Sequence, residues 1–130
     1  MDKRIRILKR NMRWFPGVRP SHEIYLELSR DSLFPDALVL HLGAGYDSHN
    51  IVSKIGETRR LISVDIDWKK LLNNKNLFRI VGDGSALLFK GMTFDFIMSE
   101  NVLEHLIEPR TVFNECYRCL KVRGGEFFDT

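Results

Sequence analysis

The chain has 130 residues, of which 44% are hydrophobic and 28% charged, and carries a net charge of +3. That length suits one domain with its own core, and no apolar run approaches the ~20 residues of a membrane-spanning helix. With no apolar h-region behind the N-terminus and only 2 cysteines, the composition excludes a secreted disulfide scaffold, and the expected compartment is the reducing cytoplasm.

Residues 1–20 hold Lys3, Arg4, Arg6, Lys9, Arg10, Arg13 and Arg19 against only Asp2. Such an arm either meets phosphate, nucleic acid or an acidic lipid surface, or is a solvated segment; the solvated segment is the expectation. Trp14-Phe15-Pro16-Gly17-Val18-Arg19-Pro20 forbids a continuous helix, and Trp14 and Phe15 are expected to cover the core. Ser21 can cap a helix over residues 22–34, with Ile24, Leu28 and Tyr25 as its apolar stripe. Pro35-Asp36 ends it. Residues 1–35 thus read as a basic arm and leading helix ahead of a domain over residues 36–130.

Leu38-Val39-Leu40-His41-Leu42 is apolar on both faces, as in a buried parallel strand. It breaks at Gly43-Ala44-Gly45, where the backbone can turn sharply and approach a ligand closely. Asp47 or Ser48 can cap the next helix, with Ile51, Val52 and Ile55 buried and Gly56 as its stop. Leu61-Ile62-Ser63-Val64-Asp65 reads as a second strand. Asp67 can cap a short helix through Trp68, Leu71 and Leu72, stopped by Asn73-Asn74. Phe78-Arg79-Ile80-Val81 is a third strand, ending at Gly82-Asp83-Gly84, and a helical turn is expected near Ser85–Phe89. Phe94–Ser99 is a fourth strand, and Val102–Ile107 a turn or two of helix. Pro109 opens a last helix carrying Val112, Phe113, Cys116, Cys119 and Leu120 at helical spacing. Gly124-Gly125 is expected to end it, and Glu126–Thr130 to begin a fifth strand. Strands alternating with helices give an α/β fold, a doubly wound parallel sheet with helices on both faces. An apolar edge such as Phe127-Phe128 needs a partner, so a truncated chain, a fragment, or a homo-oligomer or partner subunit covering the strand-5 edge is expected.

In such a sheet, ligands bind at the carboxyl ends of the strands. The Gly43–Gly45 turn, Asp65, Asp83 and Ser99-Glu100-Asn101 all fall there. Asp65 follows Gly45 by 20 residues, the spacing at which an acid takes ribose hydroxyls in dinucleotide folds. Its alternative is a turn residue or helix cap, for which Asp67 competes. Asp83 either accepts from an adenine amino group or caps the next turn.

Five motifs then stand in one order: Leu38–Gly45; Val64-Asp65; Gly82-Asp83; Phe94–Ser99 with Val102-Leu103-Glu104-His105-Leu106; and Cys119-Leu120-Lys121 with Gly124-Gly125. Together they resemble the class I S-adenosylmethionine-dependent methyltransferases, the subgroup with a Glu-His helix after the fourth strand. The resemblance covers residues 36–130 and implies a Rossmann-like sheet of about five strands in order 3-2-1-4-5. It implies that Gly43, Ala44 and Gly45, with the His41 position, approach the methionine part of the cofactor. Asp65 would bind the ribose, Ile66 would flank the adenine, and Asp83 with Gly84 would contact it. Ser99 and Glu100 would line the cofactor near the transferred methyl. The implied reaction moves that methyl to a small-molecule acceptor and leaves S-adenosylhomocysteine.

Three features depart from the family pattern. His41 stands where members carry an acid that helps hold the amino-acid end of the cofactor. Asp47 replaces a third glycine. Members also carry two further strands. These departures favour, as the alternative, a non-catalytic relative that binds the cofactor or a protein partner. Two other readings rank below it. A nicotinamide-binding fold would need a glycine at Ser48. A nucleic-acid methyltransferase would want an Asn/Asp-Pro-Pro-aromatic motif that Ser99-Glu100-Asn101-Val102 is not, so nucleic acid is not the expected partner.

A base is needed only if the acceptor must lose a proton. His105 is the candidate; its alternative is a structural residue packed by Val102, Leu103 and Leu106. His22 and Tyr25 could instead face the acceptor. Cys116 and Cys119 lack a second ligand pair for zinc and are expected in the core. His22, His41, His49 and His105 show no metal-ligand spacing, so no metal is expected. No Ser-His-Asp arrangement or Gly-Lys-Ser/Thr phosphate loop occurs.

Overall fold

A computed structural model describes residues 33–48, 50–56, 59–100 and 102–129, together with Glu23, Ile24 and Glu27, which are helical. The basic arm, Trp14, Phe15, Ser21, His22, Tyr25, Leu28, His49 and Asn101 lie outside the described residues. The elements run β1 (Leu38–Leu42), α1 (Ile51–Lys54), β2 (Arg60–Asp65), α2 (Trp68–Leu72), β3 (Arg79–Val81), β4 (Phe94–Glu100), a 3-10 turn (Leu103–His105), α3 (Pro109–Cys119) and β5 (Leu120–Asp129). The five strands form one sheet in the order β3-β2-β1-β4-β5, and every pairing is parallel. Among the described residues no helix is long and apolar enough to cross a membrane.

Alternation along the strands builds a core on each side of the sheet. Val39, Leu61 and Met98 pack on one face with Ile51 of α1 and Ile55 at its C-terminal end. Leu40, Val64 and Ile97 pack on the other with Val112, Cys116 and Cys119 of α3. Helices therefore cover both faces, as the strand–helix alternation implies. The two free cysteines are buried in that second core. Burial pushes the Cys119 thiol above its ordinary range, so it is a packed apolar group rather than a nucleophile.

Two local expectations are corrected. Residues 85–89 form no helix. Their backbone groups are taken by α3 instead: Glu115 accepts from the Leu87 amide at 2.7 Å. Arg118 donates to the carbonyls of Leu87 and Phe89, both at 2.8 Å. Arg118 also pairs with Glu115 at 2.9 Å. A strap held this way has no use for helical hydrogen bonds.

The fifth strand begins at Leu120, not Glu126, and α3 ends at Cys119. Gly124-Gly125 do not stop a helix; they lie at a register slip, where Phe94 pairs with Leu120 but Phe96 with Gly125. The early start is fixed by polar pairings. The Met92 and Thr93 amides donate to the Arg118 and Cys119 carbonyls, and Lys121 Nζ meets Asp95 Oδ1 at 3.0 Å.

Asp95 also accepts from the Leu38 amide at 2.8 Å, anchoring the first residue of β1. Burial raises its proton affinity, but the Leu38 amide and the charges of Lys121 and Arg60 outweigh it and hold the carboxyl below its ordinary value. A carboxylate depressed in the folded state stabilises the fold above its unfolded value and loses that stabilisation as pH falls through the folded one. Thermal stability is therefore expected to fall as the pH drops below ~4. Asp95→Asn should flatten that acid limb in melts followed by circular dichroism; an unchanged acid limb would remove Asp95 from the account.

Candidate functional site

The carboxyl ends of β1, β2 and β4 meet over one crevice, and the turn after β1 forms its floor. Gly43 and Gly45 adopt φ of 69° and 51°, the left-handed region that a Cβ disfavours. At Gly43 the constraint is doubled, because a Cβ would collide with Val102 Cγ2. The Ala44 amide donates to the Val64 carbonyl at 3.0 Å, so the turn is tied to β2.

Asp65 does most of the fastening. Its Oδ2 accepts from the Gly45 amide at 2.8 Å, and its Oδ1 accepts from the Asp67 amide at 2.8 Å. The helix cap is Asp67, which accepts from the Lys69 and Lys70 amides at the start of α2. The cap thus falls to Asp67, while Asp65, by accepting from the amide two residues on, is the turn residue that the sequence also allowed. Asn74 Nδ2 donates to the Gly45 carbonyl at 3.0 Å, and Asn76 Nδ2 ties the Leu61 carbonyl to Ser63 Oγ.

Two lobes share Gly43, Asp65, Lys70 and His105 on their walls. The larger, about 670 Å³, runs from Asp65 past Ile66 to Gly82-Asp83-Gly84, with Val102, Leu106 and Val112 opposite. Ile66 is 69% exposed, an apolar surface open to a flat ring. Asp83 Oδ1 accepts from the Ser85 amide at 2.8 Å and its hydroxyl at 2.7 Å. Those bonds hold the carboxyl below its ordinary range, so it stays an ionised acceptor. Asp83 therefore closes its own turn while lining the lobe.

The smaller lobe, about 570 Å³, is polar: His41, the turn from Gly43 to Ser48, Glu100 and Glu104 surround it. His41 and Glu100 are buried. His105 is not packed by its apolar neighbours; its side chain is 78% exposed and lies 3.8 Å from Glu104.

Of the residues singled out in the sequence, His41, Gly43, Ala44, Gly45, Asp65, Ile66, Asp83, Gly84, Glu100 and His105 line this crevice. Ser99 does not. It is buried, and its hydroxyl donates to the Leu42 carbonyl at 3.0 Å, bolting β4 to β1. Lys70, Asn74 and Val102 were not singled out as site residues. Lys70 and Asn74 look like ordinary members of a short helix and its stop, and only the folded β2–β3 segment brings them to the glycine turn. A third cavity, about 470 Å³, lies among Leu38, Arg59–Ile62 and Asn76–Phe78. It sits at the amino ends of β1 and β2, away from where such sheets bind ligands. Among the described residues no group of three or more His, Cys, Asp or Glu side chains could hold a metal ion.

Asp47 also explains a departure noted in the sequence. It adopts φ of 60°, the conformation a glycine there would supply. Asp tolerates that region through local hydrogen bonds. Its carboxylate accepts from the Ile51 amide at 2.6 Å and the Val52 amide at 3.0 Å, capping α1. Asp47→Ala is expected to lose the cap, about 0.5–2 kcal/mol, while keeping a Cβ in the left-handed region. Asp47→Gly loses the cap but relieves the backbone, so it should melt at a higher temperature than Asp47→Ala. Equal melting temperatures for the two variants would contradict this reading.

A family described as a methyltransferase domain matches residues 40–128. Among curated relatives, a ribosomal protein L11 methyltransferase from Prochlorococcus marinus (strain MIT 9215) is 26% identical over 98% of this chain and 44% of its own length. Among solved structures, a protein of Pyrococcus horikoshii OT3 superposes with a TM-score of 0.73 at 24% identity, covering 93% of this chain and 62% of that one. A SAM-dependent methyltransferase from Thermotoga maritima gives a TM-score of 0.62 at 23% identity, covering 89% and 54%. The chain thus spans less than half the length of the curated relative.

Proposed function

The chain belongs to the methyltransferase-domain family, and we propose that it binds S-adenosylmethionine in the crevice and passes the methyl group to a small-molecule acceptor. The observation that carries this reading is the Asp65 carboxylate at the junction of the two lobes. It is held in place by the Gly45 and Asp67 amides, and each oxygen has a further lone pair to offer a ribose diol. The rest of the donor set fits the same molecule. The larger lobe offers Ile66 as a flat apolar surface and ionised Asp83 as an acceptor for an adenine amino group. Gly84 lines the same lobe, and an added Cβ there would press on Leu42 at 3.3 Å. The smaller, polar lobe suits a charged amino-acid end.

When bound, the cofactor supplies an activated sulfonium methyl for in-line displacement. What the chain adds is orientation and exclusion of water. Val102 seals the floor against the Gly43 turn, and Lys70 covers Gly45 with its aliphatic stem, Cδ lying 3.8 Å from where a Cβ would stand. If the acceptor must lose a proton, His105 is the group at hand: exposed, beside Glu104, and on the wall of both lobes.

A protein acceptor is the second reading. It is favoured by the relative at 26% identity, which is a ribosomal protein L11 methyltransferase. Assays offering small amines and small thiols beside ribosomal proteins separate the two.

Calorimetric titration with S-adenosylmethionine and S-adenosylhomocysteine tests the cofactor reading. Binding of both is expected, and its absence would leave the non-catalytic alternative. Asp65→Ala should weaken binding at least about tenfold, because a hydrogen bond to a charged group is worth ~1.5–3 kcal/mol. An unchanged affinity would refute the ribose assignment.

A further inference from the structure

His41 occupies the position where the family carries an acid for the amino-acid end of the cofactor, yet the polar lobe does not lack a carboxylate beside it. Strand geometry places one there. His41 pairs in register with Met98 on β4. Glu100 follows two residues on, on the same face of the sheet and one step nearer the crevice. Its Oε1 lies 3.6 Å from His41 Nε2, and the two side chains are only 6% and 3% exposed. Both line the polar lobe. His41 Nδ1 is buried with no hydrogen-bond partner, so this is a polar pocket built at a cost rather than a solvated surface.

We propose that Glu100, held in place by His41, accepts the ammonium group at the amino-acid end of S-adenosylmethionine. The carboxylate that the family supplies from the first strand is supplied here from the end of the fourth. The proposal rests on the cofactor reading above and assigns one subsite within it.

The chemistry favours Glu100 over the other carboxylates of the lobe. Asp65 stands on the wall shared with the larger lobe and is assigned to the ribose, and Asp47, on the turn leading into α1, is only half-buried. Glu104 has a side chain 43% exposed, where water weakens its pull on a cation. Glu100 is the buried one, and a charged hydrogen bond is strongest in such surroundings. His41 is a positioning residue: its imidazole confines the Glu100 carboxylate against the sheet.

The test compares two ligands that differ only at the amino-acid end. S-adenosylhomocysteine carries it; methylthioadenosine keeps the adenine and ribose and lacks it. The unaltered chain should prefer S-adenosylhomocysteine. Glu100→Gln, which keeps the shape and removes the charge, should weaken S-adenosylhomocysteine about tenfold or more and leave methylthioadenosine unchanged. Moving the acid back, His41→Asp together with Glu100→Gln, should restore much of the lost preference. Methylthioadenosine affinity reports at the same time that each variant is folded.

Equal binding of S-adenosylhomocysteine by the unaltered chain and Glu100→Gln would overturn the assignment. So would a parallel loss of both ligands, which would mark Glu100 as structural, or a double variant no better than Glu100→Gln alone. If the unaltered chain binds neither ligand, it is the cofactor reading that fails.

Discussion

The Asp65 carboxylate joins two turns that would otherwise be independent. One oxygen holds the Gly45 amide from the turn after β1; the other holds the Asp67 amide at the start of α2. Hydrogen bonds to an ionised carboxylate are worth roughly 1.5–3 kcal/mol each, and here they set the width of the crevice between adjacent strands. Asn74, reaching the Gly45 carbonyl from behind, closes the arrangement. The glycine turn, with its left-handed residues, is thereby fixed before any ligand arrives, so binding need not order it. Fold and site draw on the same group, and the position of the first two strands is inseparable from the shape of the pocket.

The parallel sheet distributes the remaining tasks by parity. Odd positions of β1 and, from Phe96 onward, even positions of β4 face α1; at the carboxyl end this face yields His41 and Glu100 rather than further core. The opposite face carries Leu42 and Val64, and behind them α3. Through Glu115 and Arg118, α3 also holds the strap over residues 87–89. The strap needs no secondary structure of its own because its polar groups are already satisfied. The larger lobe is therefore bounded by elements from both halves of the sheet.

Much of this was legible in the sequence. The apolar runs, Asp67 as a cap, and the convergence of Gly43, Asp65 and Asp83 followed from local patterns with local causes, while the strand order came from the resemblance to the methyltransferase family. The misreadings share a different cause. A helical turn near 85–89 and a strand starting at Glu126 were reasonable from neighbouring residues. They failed because partners 28 or more positions away, such as Glu115 for Leu87, or a whole adjacent strand, decided the outcome. Ser99 was read by its place at a strand end; its parity sends the hydroxyl to the Leu42 carbonyl instead. The exposure of His105 and the contact between His41 and Glu100 depend on tertiary placement that no single-chain pattern encodes. Asp47 lies between these cases. It looked like a lost glycine, but its φ of 60° shows that the glycine conformation remained and gained a cap.

The central claim is that the crevice around the Asp65-locked glycine turn receives the cofactor. Backbone amide NMR shifts during titration with S-adenosylhomocysteine test it most directly. The account predicts saturable shifts at Gly43, Gly45, Ile66, Gly84 and Glu100, with Leu38 and Phe78 at the opposite end of the strands unmoved. Shifts confined to the groove around Leu38 and Phe78, with the glycine turn silent, would contradict it.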